Sequence, residues 1–98
     1  MTIDQYKNDT QMRLTLTGRL DTVTSPELEA IISNELDGVT DLTLDFAGLD
    51  YISSAGLRVL LRAKKEMAAN GTMKLTGVSP MIMEIFEITG FNEILTVE

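Results

Sequence analysis

Two adjacent serines, Ser53 and Ser54, stand where the sequence changes from a strand pattern to a helix pattern, directly before Ala55 and Gly56. The first turn of a helix has unpaired N–H groups and a partial positive charge. A serine there suits two roles: a helix cap, which is the commoner one, and an acceptor for a phosphoryl group, which the same N–H groups would stabilise. Arg58, four residues beyond Ser54, lies within reach of such a phosphate.

Catalysis by this serine pair is not expected. The chain has no cysteine and no histidine, which excludes a thiol nucleophile, a Ser-His-Asp relay, a disulfide and a Cys/His zinc site. Lysine is the only plausible nitrogen base, and none lies close in sequence to Ser54. The aspartates lack the spacing of a calcium loop. We therefore predict a non-enzyme with no catalytic residue, no metal and no cofactor.

Length and charge restrict the partners. The 98 residues predict one domain, residues 1–98, and the net charge of −7 disfavours nucleic acid and anionic membranes. The N-terminus lacks the basic and apolar regions of a signal peptide, and no apolar run approaches the roughly 20 residues of a membrane span. We expect a cytoplasmic protein.

The pattern of apolar residues predicts the elements that position the serines. Residues 2–7 and 11–17 read as a hairpin around Asn8-Asp9-Thr10, and the predicted order is β-β-α-β-α-β-α-β. Residues 45–53 read as a connection with Gly48 and Asp50 as turn residues, and residues 93–97 as a last strand. Alternating polar residues in the strands predict an α/β fold with a mixed sheet and helices mainly on one face.

Short local signals mark the ends of the helices. The first helix is predicted to begin either with a capping box of Thr24 and Glu27 or with Ser25 before Pro26, and the third with Ser79-Pro80. The second begins at Ser53 or Ser54. Glycines are predicted to end the three helices, at Asp37-Gly38, at a left-handed Asn70-Gly71 and at Gly90.

The segment from Leu42 to Leu57 resembles the signature of the STAS domain, and more narrowly of the anti-sigma factor antagonists. Its residues are Leu-Thr-Leu-Asp-Phe-Ala-Gly-Leu-Asp-Tyr-Ile-Ser-Ser-Ala-Gly-Leu. The upstream Leu-Thr-Gly-Arg-Leu-Asp ending at Asp21 and the later Ser79-Pro80 with Thr-Gly-Phe are also similar to that family. The resemblance covers essentially the whole chain and implies a STAS fold with an N-terminal hairpin followed by βα units.

The resemblance also implies partner switching. In that family the domain binds an anti-sigma factor, which is an ATP-using serine kinase, and so releases a sigma factor. The kinase phosphorylates a serine at this helix start, which ends binding, and a PP2C-type phosphatase restores it. Alignment on Gly56-Leu57 places the acceptor at Ser54. Ser53 stands where relatives usually have aspartate, so Ser53 is an alternative acceptor.

The predicted partner contacts are Asp21, Thr22, Ser53, Ser54, Ala55, Gly56 and Arg58. Asp21 and Thr22 could instead only cap a turn and the entry to a helix. We expect a monomer when free. The alternative is an unphosphorylated STAS interaction subunit of a transport or sensory complex, in which Ser54 would be only a cap. Retention of an ATP-binding kinase separates the two hypotheses.

Overall fold

The computed structural model describes residues 1–98, and its four strands form one sheet in chain order: β1 (Thr2–Asn8), β2 (Gln11–Leu20), β3 (Asp41–Ile52) and β4 (Thr72–Thr76). β1 pairs with β2 in an antiparallel hairpin, whereas β2, β3 and β4 are parallel. The helices are α1 (Ser25–Asn34), α2 (Ser54–Ala68) and α3 (Pro80–Thr89). The predicted hairpin and the βα order that follows it are confirmed.

All three helices cover one face of the sheet. Along β2, Met12, Leu14 and Leu16 are buried, while the residues between them are exposed or half-buried. The same alternation in β3 and β4 places their apolar side chains under the helices, where Phe46 of β3 meets Phe86 of α3 with ring centroids 6.5 Å apart. The opposite face remains polar. The predicted mixed sheet with helices on one face is confirmed.

The prediction that residues 45–53 form a connection is wrong, because β3 continues to Ile52. Its register against β2 shifts twice, between Thr15 and Thr17 and again between Gly18 and Arg19 of β2. Each shift inserts one extra residue in β3, and such bulges accommodate the Gly48 and Asp50 that resemble turn residues. β3 is therefore separated from α2 by Ser53 alone.

Three other predicted ends also differ from the structure. α1 ends at Asn34 with Glu35 as its C-cap, so the turn at Asp37-Gly38 follows the helix and does not end it. Gly71 is not a left-handed cap: a Cβ there would lie 1.9 Å from the Thr40 carbonyl oxygen, so this glycine permits a close backbone approach. The predicted last strand, residues 93–97, is reduced to a single parallel bridge between Val97 and Leu75, and its first residue, Glu93, ends a 3-10 helix, Phe91–Glu93. Gly90 is left-handed at the end of α3 with φ of 81°, as predicted.

None of the helices combines the length and the apolar character needed to cross a bilayer, and the longest, α2, has 15 residues.

Candidate functional site

The predicted site residues come together at one edge of the sheet, where the parallel strands β2 and β3 both end. Leu20 and Ile52 are paired at the ends of these strands, and the Ser53 amide donates to the Leu20 carbonyl oxygen at 2.9 Å. The turn that follows β2, residues 21–24, and the start of α2 are therefore held side by side. We call them the aspartate turn, residues 21–24, and the serine turn, residues 53–56.

The two serines of the serine turn have different roles. Ser53 is the N-cap of α2, half-buried, with an extended backbone, and its hydroxyl accepts a hydrogen bond from the Gly56 amide at a long 3.5 Å. Ser54 is the first helical residue and is exposed, and its hydroxyl makes no hydrogen bond within the protein. The amides of Ser54 and Ala55 precede the first intrahelical hydrogen bond, so they have no partner inside the helix.

Gly56 is buried and allows α2 to pack closely on the strand ends. A Cβ on Gly56 would lie 2.8 Å from carbons of both Ile52 and Leu20, closer than real Cβ atoms approach other atoms. This packing explains the glycine without a partner protein. Contact between Gly56 and a partner therefore stays a prediction, as does contact with its half-buried neighbour Ala55.

Asp21 organises the aspartate turn. Its carboxylate accepts hydrogen bonds from the amides of Val23 and Thr24, both at 3.0 Å, and from the Thr24 hydroxyl at 3.2 Å. The hydrogen bond from the Thr24 amide is the largest of the influences that lower the pKa of Asp21 below its ordinary value of 3.8. The carboxylate stabilises the turn that leads into α1. Thr22 is exposed beside it.

The predicted capping box at the start of α1 is wrong. Thr24 is the N-cap residue, but its side chain makes no capping hydrogen bond to the helix. Its hydroxyl oxygen accepts instead from the Asp21 amide at 2.9 Å, and the hydroxyl donates to the Arg19 carbonyl oxygen at 2.7 Å. The alternative, with Ser25 before Pro26 at the first helical position, is also wrong, because Ser25 is the first residue of α1 and Pro26 the second. The buried Ser25 hydroxyl has no hydrogen-bond partner.

The sequence analysis missed three exposed side chains around these turns. Val23 is 84% exposed at the tip of the aspartate turn. Arg19 places its guanidinium 4.3 Å from the centre of the Tyr51 ring and lies 3.7 Å from the Asp21 carboxylate. The sequence does contain a signal for Val23, because an apolar residue within a polar turn indicates an exposed contact position. The Arg19–Tyr51 contact depends on the β2–β3 register and leaves no such signal.

Arg58 lies on the exposed side of α2, one turn beyond Ser54. The ion pairs of the molecule involve Arg19, Arg62 and Lys74 as the bases, and Arg58 takes part in none of them. The structure thus brings every predicted contact residue to the same edge of the sheet.

Neither turn contributes to the depression that is best defined on the surface of the molecule. That depression, of about 670 Å³, is on the open face of the sheet near the beginnings of β2, β3 and β4, and its lining includes Arg13, Thr43 and Lys74. Small-molecule sites are usually concave. The exposed Ser54 hydroxyl lies outside this depression and instead suits contact with another protein.

The amino-acid sequence matches a known domain family over almost its whole length. A model described as the STAS domain matches residues 2–98. This chain belongs to the STAS domain family. A Bordetella bronchiseptica protein named as the anti-sigma factor antagonist BtrV is 36% identical to this STAS domain, over 99% of this chain and 85% of that protein. The anti-sigma-B factor antagonist of Staphylococcus aureus is 29% identical, over 99% of this chain and 92% of that protein.

Solved structures share the fold. The anti-sigma factor antagonist SpoIIAA in its unphosphorylated form matches this STAS domain with a TM-score of 0.79 and 22% identity, over 99% of this chain and 87% of that one. Bacillus SpoIIAA in the phosphorylated form matches with a TM-score of 0.78 and 22% identity, over 99% and 91%. The predicted STAS fold is confirmed, and both forms of that protein resemble it equally well.

Proposed function

We propose that this STAS domain is an anti-sigma factor antagonist that acts as a single domain over residues 1–98. In the unphosphorylated form, a monomer in the cytoplasm, it binds an ATP-using anti-sigma factor kinase through the aspartate and serine turns, and so releases a sigma factor. The kinase transfers the γ-phosphoryl group of ATP to the Ser54 hydroxyl oxygen, releasing ADP and a proton. The modified domain then leaves the kinase, and a PP2C-type phosphatase restores it.

One observation supports this proposal most strongly. The exposed and unengaged Ser54 hydroxyl lies at the start of α2, in a chain that aligns over 99% of its length with a protein named as an anti-sigma factor antagonist. A hydroxyl without an internal role is accessible to a kinase. A hydroxyl that only capped α2 would be turned toward the helix amides, as that of Ser53 is.

The difference between the two serines favours Ser54 as the acceptor. Ser53 is half-buried and its oxygen already accepts from the Gly56 amide, so its modification would remove a cap. Ser54 can be modified without breaking an existing hydrogen bond. The position where relatives usually have aspartate is therefore filled here by a residue that caps the helix as an aspartate would.

The effect of phosphorylation on binding follows from charge and size. A phosphoryl group adds about −1.5 to −2 charges at neutral pH. Inside an interface packed against Ser54, this group collides with the partner and carries charge into a desolvated contact. An uncompensated buried charge costs several kcal/mol, so we expect a loss of affinity of about 10²-fold or more. No refolding of the domain is required.

Affinity capture from a lysate of the native host, with mass spectrometry of the retained proteins, tests the proposal. The baits are the wild type, Ser54→Ala, Ser54→Asp and the wild type phosphorylated in vitro. Ser33→Asp, at an exposed serine of α1 outside both turns, controls for added negative charge. We expect wild type, Ser54→Ala and Ser33→Asp to retain an ATP-binding serine kinase that Ser54→Asp and the phosphorylated bait lose.

The acceptor is identified with the captured kinase and ATP. We expect Ser53→Ala to remain a substrate and Ser54→Ala to accept no phosphate. Retention of the same partners on all baits would contradict the proposal and indicate a static STAS interaction subunit. Phosphorylation that is lost in Ser53→Ala and kept in Ser54→Ala would move the acceptor to Ser53.

A further inference from the structure

We propose that Arg58 is the intramolecular counter-charge of the phosphorylated domain, pairing with the phosphoryl group on Ser54 from one turn further along α2. This inference rests on the proposed phosphorylation, and it names the residue that the phosphoryl group on Ser54 contacts. It predicts that the phosphoryl group lies along the surface of α2 rather than extending into solvent.

Helix geometry brings the two residues together. Ser54 and Arg58 are separated by four positions on α2, which places their Cβ atoms about 5–6 Å apart on one face. Long side chains of a helix lean toward its N-terminus, and this direction brings the Arg58 guanidinium within reach of a phosphoryl group on Ser54. An acidic group four residues before a basic one is also the more favourable of the two possible orders.

Arg58 has no competing partner on its own helix. The positions three and four residues away are Ser54, Ala55, Leu61 and Arg62, none of them acidic, and Arg62 carries the same charge. Arg62 itself pairs with Glu29 and Glu66, at 3.5 and 3.9 Å. Arg58 makes no ion pair, although the chain has almost twice as many acidic residues, 15, as basic ones, 8.

Neighbouring elements do not supply a partner either. Asp21, in the adjoining aspartate turn, pairs with Arg19, and Glu29 of α1 pairs with Arg62. None of the ion pairs of the molecule includes Arg58. A phosphoryl group on Ser54 would therefore give Arg58 its first anionic partner. The planar guanidinium can donate two parallel hydrogen bonds to phosphate oxygens.

The pairing has two measurable consequences. A nearby cation favours the dianionic form of the phosphoryl group, so it lowers the second pKa of the phosphoserine, which is about 6 in the absence of a partner. The ion pair is also absent from the unfolded chain, so phosphorylation raises the melting temperature more when Arg58 is present. Both effects need Arg58 at its own position and not merely a positive charge on α2.

The test installs phosphoserine at position 54 of the full chain during translation, so that no kinase is needed. The phosphorus NMR signal is titrated with pH for the phosphorylated wild type, Arg58→Gln, Arg58→Lys and Arg62→Gln. Arg62 is the matched control, because it is the same residue type on the same helix but lies roughly 12 Å from Ser54 along the axis. That distance exceeds the screening length of about 8–10 Å.

We expect Arg58→Gln to raise the phosphoserine pKa by about 0.2 units or more, Arg58→Lys to restore part of the shift, and Arg62→Gln to match the wild type. We also expect the rise in melting temperature on phosphorylation to shrink in Arg58→Gln alone. An unchanged pKa in Arg58→Gln would overturn the inference. Equal changes in Arg58→Gln and Arg62→Gln would also overturn it, because they would indicate a general charge effect.

The outcome is independent of the capture experiment. If no kinase is retained in that experiment while Arg58 shifts the phosphoserine pKa, the proposed function fails and the pairing stands. If Ser54 controls kinase retention while Arg58→Gln leaves the pKa unchanged, the proposed function stands and the pairing fails. The unphosphorylated Arg58→Gln protein should melt at the wild-type temperature, since Arg58 makes no ion pair before modification.

Discussion

The aspartate turn and the serine turn lie side by side at the same edge of the sheet, yet they use their polar groups in opposite ways. In the aspartate turn, the Asp21 carboxylate and the Thr24 hydroxyl are both engaged by the backbone of the turn and of β2. In the serine turn, only Ser53 has an internal partner, at a long 3.5 Å, and Ser54 has none. One turn is stabilised by its polar side chains, and the other leaves a hydroxyl available for chemistry.

The difference between the two turns separates stability from reactivity: the hydrogen bonds of the aspartate turn stabilise it, and the serine turn carries the free hydroxyl. The serine turn keeps its shape mainly through packing, because Gly56 sits directly on Leu20 and Ile52. A site whose shape depends on packing can receive a phosphoryl group without losing an internal hydrogen bond. A change at Asp21 or Thr24 would instead disturb hydrogen bonds that stabilise the aspartate turn.

The largest loss of stability is expected from Gly56→Ala, which disturbs the packing beneath the serine turn. The added methyl group would overlap carbons of Leu20 and Ile52, and overpacking of this kind costs about 1–3 kcal/mol. Chemical denaturation of the wild type, Gly56→Ala and Gly48→Ala measures the loss in the free energy of unfolding. Gly48 is the control because its added Cβ would lie 3.1 Å or more from its neighbours, so the loss there should be smaller. Equal losses would show that packing at Gly56 does not determine the shape of the serine turn.

A smaller effect is expected from removing the serine caps. Ser79 caps α3 by accepting from the Ile82 amide at 3.2 Å, compared with 3.5 Å for Ser53 and Gly56. We expect Ser79→Ala to lower the free energy of unfolding by about 1 kcal/mol and Ser53→Ala by about 0.5 kcal/mol. Ser54→Ala, with no cap to remove, should be close to neutral in the same denaturation experiment. A cost for Ser54→Ala that exceeded that of Ser53→Ala would reverse the roles assigned to the two serines.

The aspartate turn should respond to pH, and the response should depend on Asp21. Because the folded state lowers the pKa of this carboxyl below 3.8, its stabilising contribution is complete above pH 3.8 and is lost as the pH falls through the lower, folded pKa. We expect Asp21→Asn to lower stability modestly at neutral pH, since its amide oxygen can still accept hydrogen bonds, and to flatten the pH dependence below pH 3.8. Melting curves from pH 2 to 7, with the exposed Asp37→Asn as control, test this.

The smallest effect is expected from phosphorylation of Ser54, which should leave the fold unchanged outside the two turns. Ser54 has no internal contact that the phosphoryl group must replace, so we expect amide NMR shifts to change only around residues 50–60 and in the adjoining aspartate turn. Spectra of the two forms, recorded under the same conditions, provide the comparison. Large changes in the β1–β2 hairpin turn, which lies at the opposite edge of the sheet, would show that the two turns are coupled to the whole domain.

Much of the fold could be predicted because the relevant signals are local. Alternation in residues 11–17 specifies which side chains of β2 face the helices, since a strand repeats every two residues. Ser79-Pro80 and Gly90 specify the ends of α3 by their own backbone preferences. The same local reasoning placed Ser53 and Ser54 at the start of α2, which is the part of the candidate site that the sequence predicts best.

Two of the errors share one cause, which is contact between segments distant in sequence. Gly48 and Asp50 resemble turn residues, but pairing with β2 supplies enough hydrogen bonds to hold them in a bulged strand. Gly71 resembles a helix cap, but it is required by the Thr40 carbonyl 31 positions earlier. Local patterns contain no information about these neighbours.

The capping box at Thr24 fails for a more local reason. The Thr24 hydroxyl accepts from the Asp21 amide and donates to the Arg19 carbonyl oxygen, so it is engaged by the turn that precedes the helix.

The sequence by itself determined the α/β class, the order of the elements up to α3 and the position of a serine pair at a helix start, because these depend on periodicity and on short-range backbone preferences. Only the tertiary structure decided which serine caps the helix and which stays free, and that Arg58 has no ionic partner. These properties depend on the register of β2 against β3 and on packing at Gly56, which place residues some 30 positions apart in direct contact.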